Sequence, residues 1–468
     1  MLSTSRHSGA RAAVCVFVLA AVVHACVSAP PSAPSSSSVA SASAEPVASE
    51  IASAEPIASA SASSAGSSSC APLKVELPPV EVPDKELDPP TPALVDSEVP
   101  TMAPFYRKVA MLMRHTAKDH LRIAVYGDSN LTKDQFTGWL RRDLQRQYGD
   151  AGHGYVASTR PWSWYLHQDV KHGSSGYKAY ACSTHPAPDK YYGFAGISGD
   201  GLQGKAYTYV ETAGESSLVG KTANRAEVFY LQQPKGGTFE IVVDGKSLAT
   251  VDTSGAKAEA AFKKVDFPEG PHRVEVVSHE DRKSVRIFGI SLERAEPGVI
   301  VDSLGVGGAS CPPFSKQDAQ VMIDSLRHRN YDLIVYALGS NYSDIDQLPG
   351  CMKTLIDRHR AATPNVPIVL FGPPDYMSPS SMMDTSTWMD LNVNKWKTIA
   401  QVNDCAFWDY RSAMGGPGAI VRFGSRGMVW TDNIHLTDKG HHFMSSRFHR
   451  VLWQGLAKYA EREPHVGL

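Results

Sequence analysis

Hydrophobic positions follow two different periods along this chain. Residues 121–126 (LRIAVY) form a short apolar run that ends at Gly127, and behind it Phe136, Trp139, Leu140, Leu144 and Tyr148 recur at helical spacing. After Pro297-Gly298 the same rhythm returns, with apolar runs at 299–304, 332–338, 366–371 and 405–408. Helical patterns near 317–329, 346–362, 387–402 and 437–460 separate them. Apolar strands alternating with helices predict a parallel sheet covered on both faces. Between these halves, over 191–296, the period falls to two. Runs at 238–243, 273–277 and 285–290 are punctuated by turn signals such as Asp244-Gly245 and Pro268-Glu-Gly270. That texture predicts an antiparallel β-sandwich of about a hundred residues inserted into the α/β domain. No internal repeat is visible.

The first hundred residues carry neither pattern. Arg6 and Arg11 precede an apolar stretch, 12–23, which is short for a bilayer span and is followed by small residues, as in an export signal. The stretch ends Val-His-Ala-Cys at 23–26, which resembles a bacterial lipobox with Cys26 as the lipidated residue, though His24 departs from the usual small residue. Ordinary cleavage after Ala25 or Ala29 is the other reading. The Ser/Ala/Pro-rich segment that follows cannot bury enough apolar surface to fold. The expected division is therefore a signal over 1–26, a disordered linker over 27–104, a first α/β part over 105–190, the insert over 191–296, and a second α/β part over 297–468. The expected location is outside the cytoplasm, periplasmic or at the cell surface, with the membrane as a partner if Cys26 is lipidated.

Composition adds little to this and subtracts something. At 42% hydrophobic and 20% charged residues, with a formal net charge of −2, the chain supports a sizeable core. It offers no concentrated basic field for a nucleic acid. Five cysteines follow Cys26, at 70, 182, 311, 351 and 405, without the close spacing of a zinc or redox site. In an oxidising compartment a disulfide is expected and the odd count leaves a thiol over, but the pairing is not legible.

Candidate chemistry lies where strands end. Gly127-Asp128-Ser129 sits between the first predicted strand and a helix, at the sheet edge where open α/β folds place their sites. Alone it is also an ordinary turn, and a serine hydroxyl needs a base to take its proton. Trp430-Thr-Asp-Asn-Ile-His435 supplies one: Asp432, three residues before His435, is spaced to hold the imidazole while its other nitrogen faces the serine. An oxyanion hole is the remaining requirement. Gly305-Val-Gly-Gly308 and Gly339-Ser-Asn341 follow the next two strands, although each alone reads as a strand-ending turn.

Taken in order, GDSN (127–130), LGVGGA (304–309), GSN (339–341) and DNIH (432–435) resemble the four signature blocks of the SGNH, or GDSL, hydrolases. The resemblance implies a flavodoxin-like parallel sheet and a cofactor-free, metal-free serine esterase. Ser129 would be the nucleophile and a backbone oxyanion donor, Gly308 and Asn341 further donors, and His435 the base oriented by Asp432. Gly308 is preferred to Gly307 because the family's glycine precedes the small or polar residue opening the next helix. The segments 137–141 (TGWLR), 148–155 (YGDAGHGY) and 407–416 (FWDYRSAMGG) resemble bacterial cell-envelope members of the family. Those include peptidoglycan O-acetylesterases, some of which carry a β-sandwich resembling a carbohydrate-binding module. An O-acylated polysaccharide or peptidoglycan is the substrate this implies. One departure is Asn130, where relatives often have His. A lipase or thioesterase, an O-acyltransferase, and a non-catalytic glycan-binding lipoprotein are the alternatives.

Other residues have two readings each. Trp162 and Trp164, beside Arg160 and Tyr165, would stack on a sugar or pack the insert. Asp409 and Arg411 would contact substrate or form a structural ion pair. Tyr191, Tyr192 and Phe194 read as core, and the His441-His442 pair as helix surface. Asp432 and His435 have no third ligand at metal spacing.

Overall fold

A computed structural model describes residues 71–80, 91–96, 100–201, 206–278, 283–341, 345–376 and 386–468. The export signal, Cys26 and the Ser/Ala/Pro-rich stretch to 69 lie outside the described residues.

Strand β1 (Leu121–Gly127) is apolar on both faces because both are covered. It lies between β2 (Val299–Gly305) and β3 (Leu333–Ala337), with β4 (Ile368–Phe371) and β5 (Ala406–Trp408) beyond, in the order β2-β1-β3-β4-β5. Every pairing in this sheet is parallel. Period-two alternation sends Ile123, Val125, Val301 and Val335 to one side and Tyr126, Leu304, Ile334 and Tyr336 to the other. The helices, in chain order, are α1 (Ala103–Met113), α2 (Gln135–Tyr148), α3 (Cys311–Ser315), α4 (Ala319–Arg329), α5 (Leu348–Ala362), α6 (Ser386–Val402), α7 (Tyr410–Met414), α8 (Ala419–Gly424) and α9 (Asp438–Arg462). Phe105, Phe136, Leu140, Phe448 and Leu452 of α1, α2 and α9 fill the first side; Met322, Leu326, Leu355, Trp396 and Ile399 of α4, α5 and α6 fill the second. This is the doubly wound arrangement expected of the 3.6-residue and apolar-run patterns.

The insert is two antiparallel sheets. One runs Glu259–Gly270, Ala223–Gln232, Val285–Glu293, Ile197–Gly201 and Lys178–Ala181, with Gly152–Ala157 also paired to Val285–Glu293. The other runs Val170–Ser175, Tyr207–Thr212, Arg273–Ser278, Thr238–Val243 and Lys246–Asp252. Val228, Ile287, Phe239, Ile241 and Val276 meet between them. The antiparallel strands thus begin well before 191, the expected boundary. Strands such as GHGYVA and VKHGSS carry too many glycines and polar residues to show apolar alternation.

The insert is fastened to the parallel sheet by a buried charge network. Asp302 on β2 accepts from Arg329 Nε at 2.8 Å, Tyr331 Oη at 2.7 Å and the Tyr155 N–H at 2.8 Å. Arg329 also pairs with Glu293 at the end of an insert strand.

The linker expectation needs correction for 71–80 and 91–96, which pack on the core. Val95 exchanges backbone hydrogen bonds with Phe407 of β5, at 2.9 and 2.8 Å. The Pro78 and Pro92 carbonyls accept from Arg450 and Trp408. Proline-rich chain has no pattern of its own, yet its unpaired carbonyls make it a ready strip for donors on a finished surface. No helix among the described residues is long and apolar enough to cross a membrane.

Candidate active site

Gly127 ends β1 in register with Gly305 of β2 and Ala337 of β3, so the loops after all three strands emerge side by side. Asp128 is buried, and its Oδ1 accepts the Asn130 N–H at 2.9 Å, capping a single 3-10 turn, Ser129–Leu131. Burial pushes the Asp128 carboxyl above its usual range. The turn runs hard against β2: a Cβ on Gly305 would stand 2.5 Å from the Leu131 carbonyl carbon. Only glycine fits there.

The candidate base, His435, arrives on the loop before α9. Asp432 Oδ1 accepts the Ile434 and His435 N–H groups at 2.9 and 3.0 Å, a local turn that fixes the carboxylate beside the ring. Asn433 takes the left-handed conformation (φ 55°) that lets the chain turn back. Asp432 Oδ2 is 2.8 Å from His435 Nδ1, and His435 Nε2 is 2.7 Å from Ser129 Oγ. With its proton on Nδ1, facing the carboxylate, the imidazole accepts from the serine hydroxyl. Partial burial works against the Asp432 charge, but the two N–H donors and the imidazole outweigh it and hold the carboxyl below its usual range. The structure therefore brings Ser129, His435 and Asp432 into one hydrogen-bonded relay.

Gly308 and Asn341 follow β2 and β3, on either side of the Ser129 turn. Gly308 is exposed with φ 67°, and a Cβ there would meet nothing nearer than Thr184 at 3.7 Å. Gly307 is buried, with Trp162 3.1 Å from where its Cβ would be and the Ser183 hydroxyl on its carbonyl. Of the two glycines, Gly308 is the one open to solvent. Asn341 Nδ2 donates to the Ala309 carbonyl at 3.1 Å, joining the two loops. An amide nitrogen has a second hydrogen, which leaves one for a substrate oxygen.

A cleft of about 520 Å³ opens above the serine, lined by Ser129, Lys133, Trp164, Trp430, Asp432 and His435 among others. Trp164 and Trp430 are 48% and 49% exposed, far more than packing side chains of their size. Trp162 is buried instead, stacked 6.4 Å from Trp164 and pressed on the Gly307 loop, which matches its packing reading. Arg160 braces this segment through the Ser163 and Tyr165 carbonyls. Trp430 was not singled out from the sequence, although an aromatic two places before the orienting aspartate is a readable signal.

The remaining candidates lie elsewhere. Asp409 caps α7, accepting from the Ser412 N–H and hydroxyl at 2.9 and 2.6 Å. Arg411 is buried in ion pairs with Asp375 and Asp390. Both take the structural role and not substrate contact. His441 corrects its surface reading: it is 2% exposed, because the first turn of α9 is wedged beneath the His435 loop, and burial depresses it to about 3. His442 stacks on Trp139. Tyr192 and Phe194 are core. Cys311 and Cys351 form a disulfide, while Cys182 and Cys405 are buried thiols; burial pushes Cys405 to about 12.

Asp134, His153 and His167 are close enough together to hold a metal ion. Most of their donor atoms are already engaged, His153 Nδ1 being the exception. Asp134 accepts from Thr137, from both terminal nitrogens of Arg141 and from the Gln168 N–H, and His167 bonds His153 and Tyr165. An arginine so close leaves no place for a second cation.

No family model matches the chain, and no curated protein matches it in sequence. Solved structures do match. A peptidoglycan O-acetylesterase shares 20% identity over 77% of this chain and 96% of its own, at a TM-score of 0.63. A family two carbohydrate esterase from Clostridium thermocellum, in complex with cellohexaose, covers 58% of this chain and 97% of its own, with 13% identity and a TM-score of 0.24. A lipase/acylhydrolase from Enterococcus faecalis covers 34% and 77%, with 16% identity and a TM-score of 0.26. The chain thus has a flavodoxin-like, doubly wound parallel sheet with an inserted antiparallel sandwich, and it is similar in fold to the solved peptidoglycan O-acetylesterase.

Proposed function

We propose that this chain is an exported serine esterase that removes O-acetyl groups from a cell-envelope or extracellular polysaccharide through an acyl-enzyme on Ser129. The observation that carries the reading is the continuous relay from Asp432 through His435 to Ser129, at 2.8 and 2.7 Å, at the floor of an open cleft. His435 Nε2 takes the hydroxyl proton as Oγ attacks the acetyl carbonyl. The charge that gathers on the carbonyl oxygen is met by the Ser129 and Gly308 N–H groups and the Asn341 amide. His435 then returns the proton to the departing sugar oxygen. Water, deprotonated by the same nitrogen, releases acetate and restores the serine.

The fold shared with a peptidoglycan O-acetylesterase supports the polysaccharide half of the reading, and the exposed Trp164 and Trp430 suit a sugar face. The Cys311–Cys351 disulfide supports export, since such bonds persist in oxidising compartments. The test is hydrolysis of 4-nitrophenyl acetate and acetate release from O-acetylated polysaccharides. Ser129→Ala and His435→Ala are each expected to lower kcat by about 10⁴-fold or more. Acetyl esters should be preferred to octanoyl esters. Equal rates for wild type and Ser129→Ala would end the proposal, and a preference for long chains would turn it towards a lipase.

A further inference from the structure

The cleft holds an uncompensated cation. Lys133 follows directly on the nucleophile turn, and its backbone is fixed: its carbonyl accepts from Gln168 Nε2 at 3.0 Å, and the preceding Thr132 hydroxyl donates to the Ser129 carbonyl at 2.8 Å. The Thr132 carbonyl in turn accepts the Leu166 N–H at 3.0 Å, tying the Trp164 segment to the same turn. The Lys133 ammonium sits 5.1 Å from the Trp430 ring centroid, and no carboxylate among the described residues pairs with it. The other charged group lining the cleft, Asp432, is committed to His435 and two backbone N–H groups.

We infer that the cleft is built for a carboxylate-bearing glycan, with Lys133 pairing the carboxylate and Trp164 and Trp430 taking the sugar faces. The inference rests on the esterase reading and names the substrate class within it. A polymer laid across the two tryptophans strips water from the ammonium beside them. A neutral sugar leaves that loss uncompensated, whereas a carboxylate replaces the water with a charge-assisted hydrogen bond. The ring of Trp430 favours a cation over its face, which keeps the half-buried Lys133 at the cleft wall. Lys133 is thus a specificity residue, acting on which acetylated sugar binds and not on the acyl transfer itself.

The test compares acetate release from O-acetylated polygalacturonate with release from the same polymer after its carboxylates have been methyl-esterified. O-acetylated peptidoglycan, before and after amidation of its carboxylates, forms a second pair, which separates a sugar-borne from a peptide-borne acid. Wild type is expected to favour the anionic member of at least one pair by about tenfold in kcat/KM. That preference should shrink as NaCl is raised from 50 to 300 mM. Lys133→Gln should abolish most of the preference and Lys133→Arg should keep it. Trp430→Ala should lower kcat/KM on both members of a pair. A wild type that releases acetate equally from charged and neutral members of both pairs, or from none of them, overturns the inference, as does an undiminished preference in Lys133→Gln. Activity on 4-nitrophenyl acetate distinguishes the two failures: if it is present, only the substrate class is wrong, and if it is absent, the esterase reading has failed.

Discussion

Asn130 shows how a single side chain decides whether a relay is held or merely close. Its Oδ1 accepts the Leu436 N–H at 3.0 Å, one residue past His435, while its own N–H is held by Asp128. The nucleophile turn therefore grips the base loop directly. Asn130→Ala removes that grip and is expected to lower kcat about tenfold with little change in KM, because misplacing a general base costs rate and not binding. Asn130→His, the residue relatives often carry, presents a ring nitrogen to the same N–H and should recover most of the loss. Steady-state kinetics on 4-nitrophenyl acetate decide it; an Asn130→Ala enzyme with wild-type kcat leaves the contact without a role. The triad itself was legible in the sequence because its chemistry demands fixed residue types in a fixed order. Lys133 and His441 were not, since a lone lysine or histidine has meaning only once separate loops have met around it.

At the scale of elements, the two loops that follow β2 and β3 are joined twice. Asn341 donates to Ala309, and just beyond them the disulfide fastens Cys311, at the start of α3, to Cys351, in the first turn of α5. With a sequence separation of 40, loss of this bond is expected to remove roughly 4 kcal/mol of loop-closure stabilisation. A Cys311→Ser/Cys351→Ser double variant should also lose kcat well below its melting temperature, because Gly308 and Asn341 would no longer be held in common. Urea titrations and initial rates, with and without reductant, measure the two effects separately. Unchanged kcat in the folded double variant would make the bond a staple for stability alone. The strands and helices these loops join were readable from periodicity, since each buries a continuous apolar face. The early insert strands and the docked 71–80 and 91–96 segments were not, because they are held largely through their own backbone groups and the sequence pattern records side chains.

For the molecule as a whole, the density of buried neutral histidines sets its response to acid. His153, His167 and His172 pack together where the α/β core meets the insert, and His359 and His441 are buried elsewhere in the core. Burial depresses all five: His153 well below its ordinary value, His167 to about 4, and His172, His359 and His441 to about 3. An unfolded chain binds these protons near pH 6.5, while the folded chain refuses them until far lower pH. Between those limits the unfolded state holds more protons, so stability falls steadily as pH drops below about 6.5 and goes on falling towards pH 4. Glu293, whose pairing with Arg329 outweighs its burial and holds it ionised down to about 2, adds to the loss only below about 4.5, where the unfolded carboxyl begins to take up its proton. Asp128 works weakly the other way, as its raised value favours the protonated folded form. His120 is depressed by burial as well and Asp332 is raised like Asp128, so six histidines against two carboxyls set the sign. Urea midpoints measured from pH 7.5 to 4.5 should therefore decline below about 6.5, and His172→Gln, which stays neutral and keeps an acceptor for the His167 N–H, should flatten the decline. A midpoint that holds level to pH 4.5 would mean that the histidine cluster is hydrated and protonated in the folded protein.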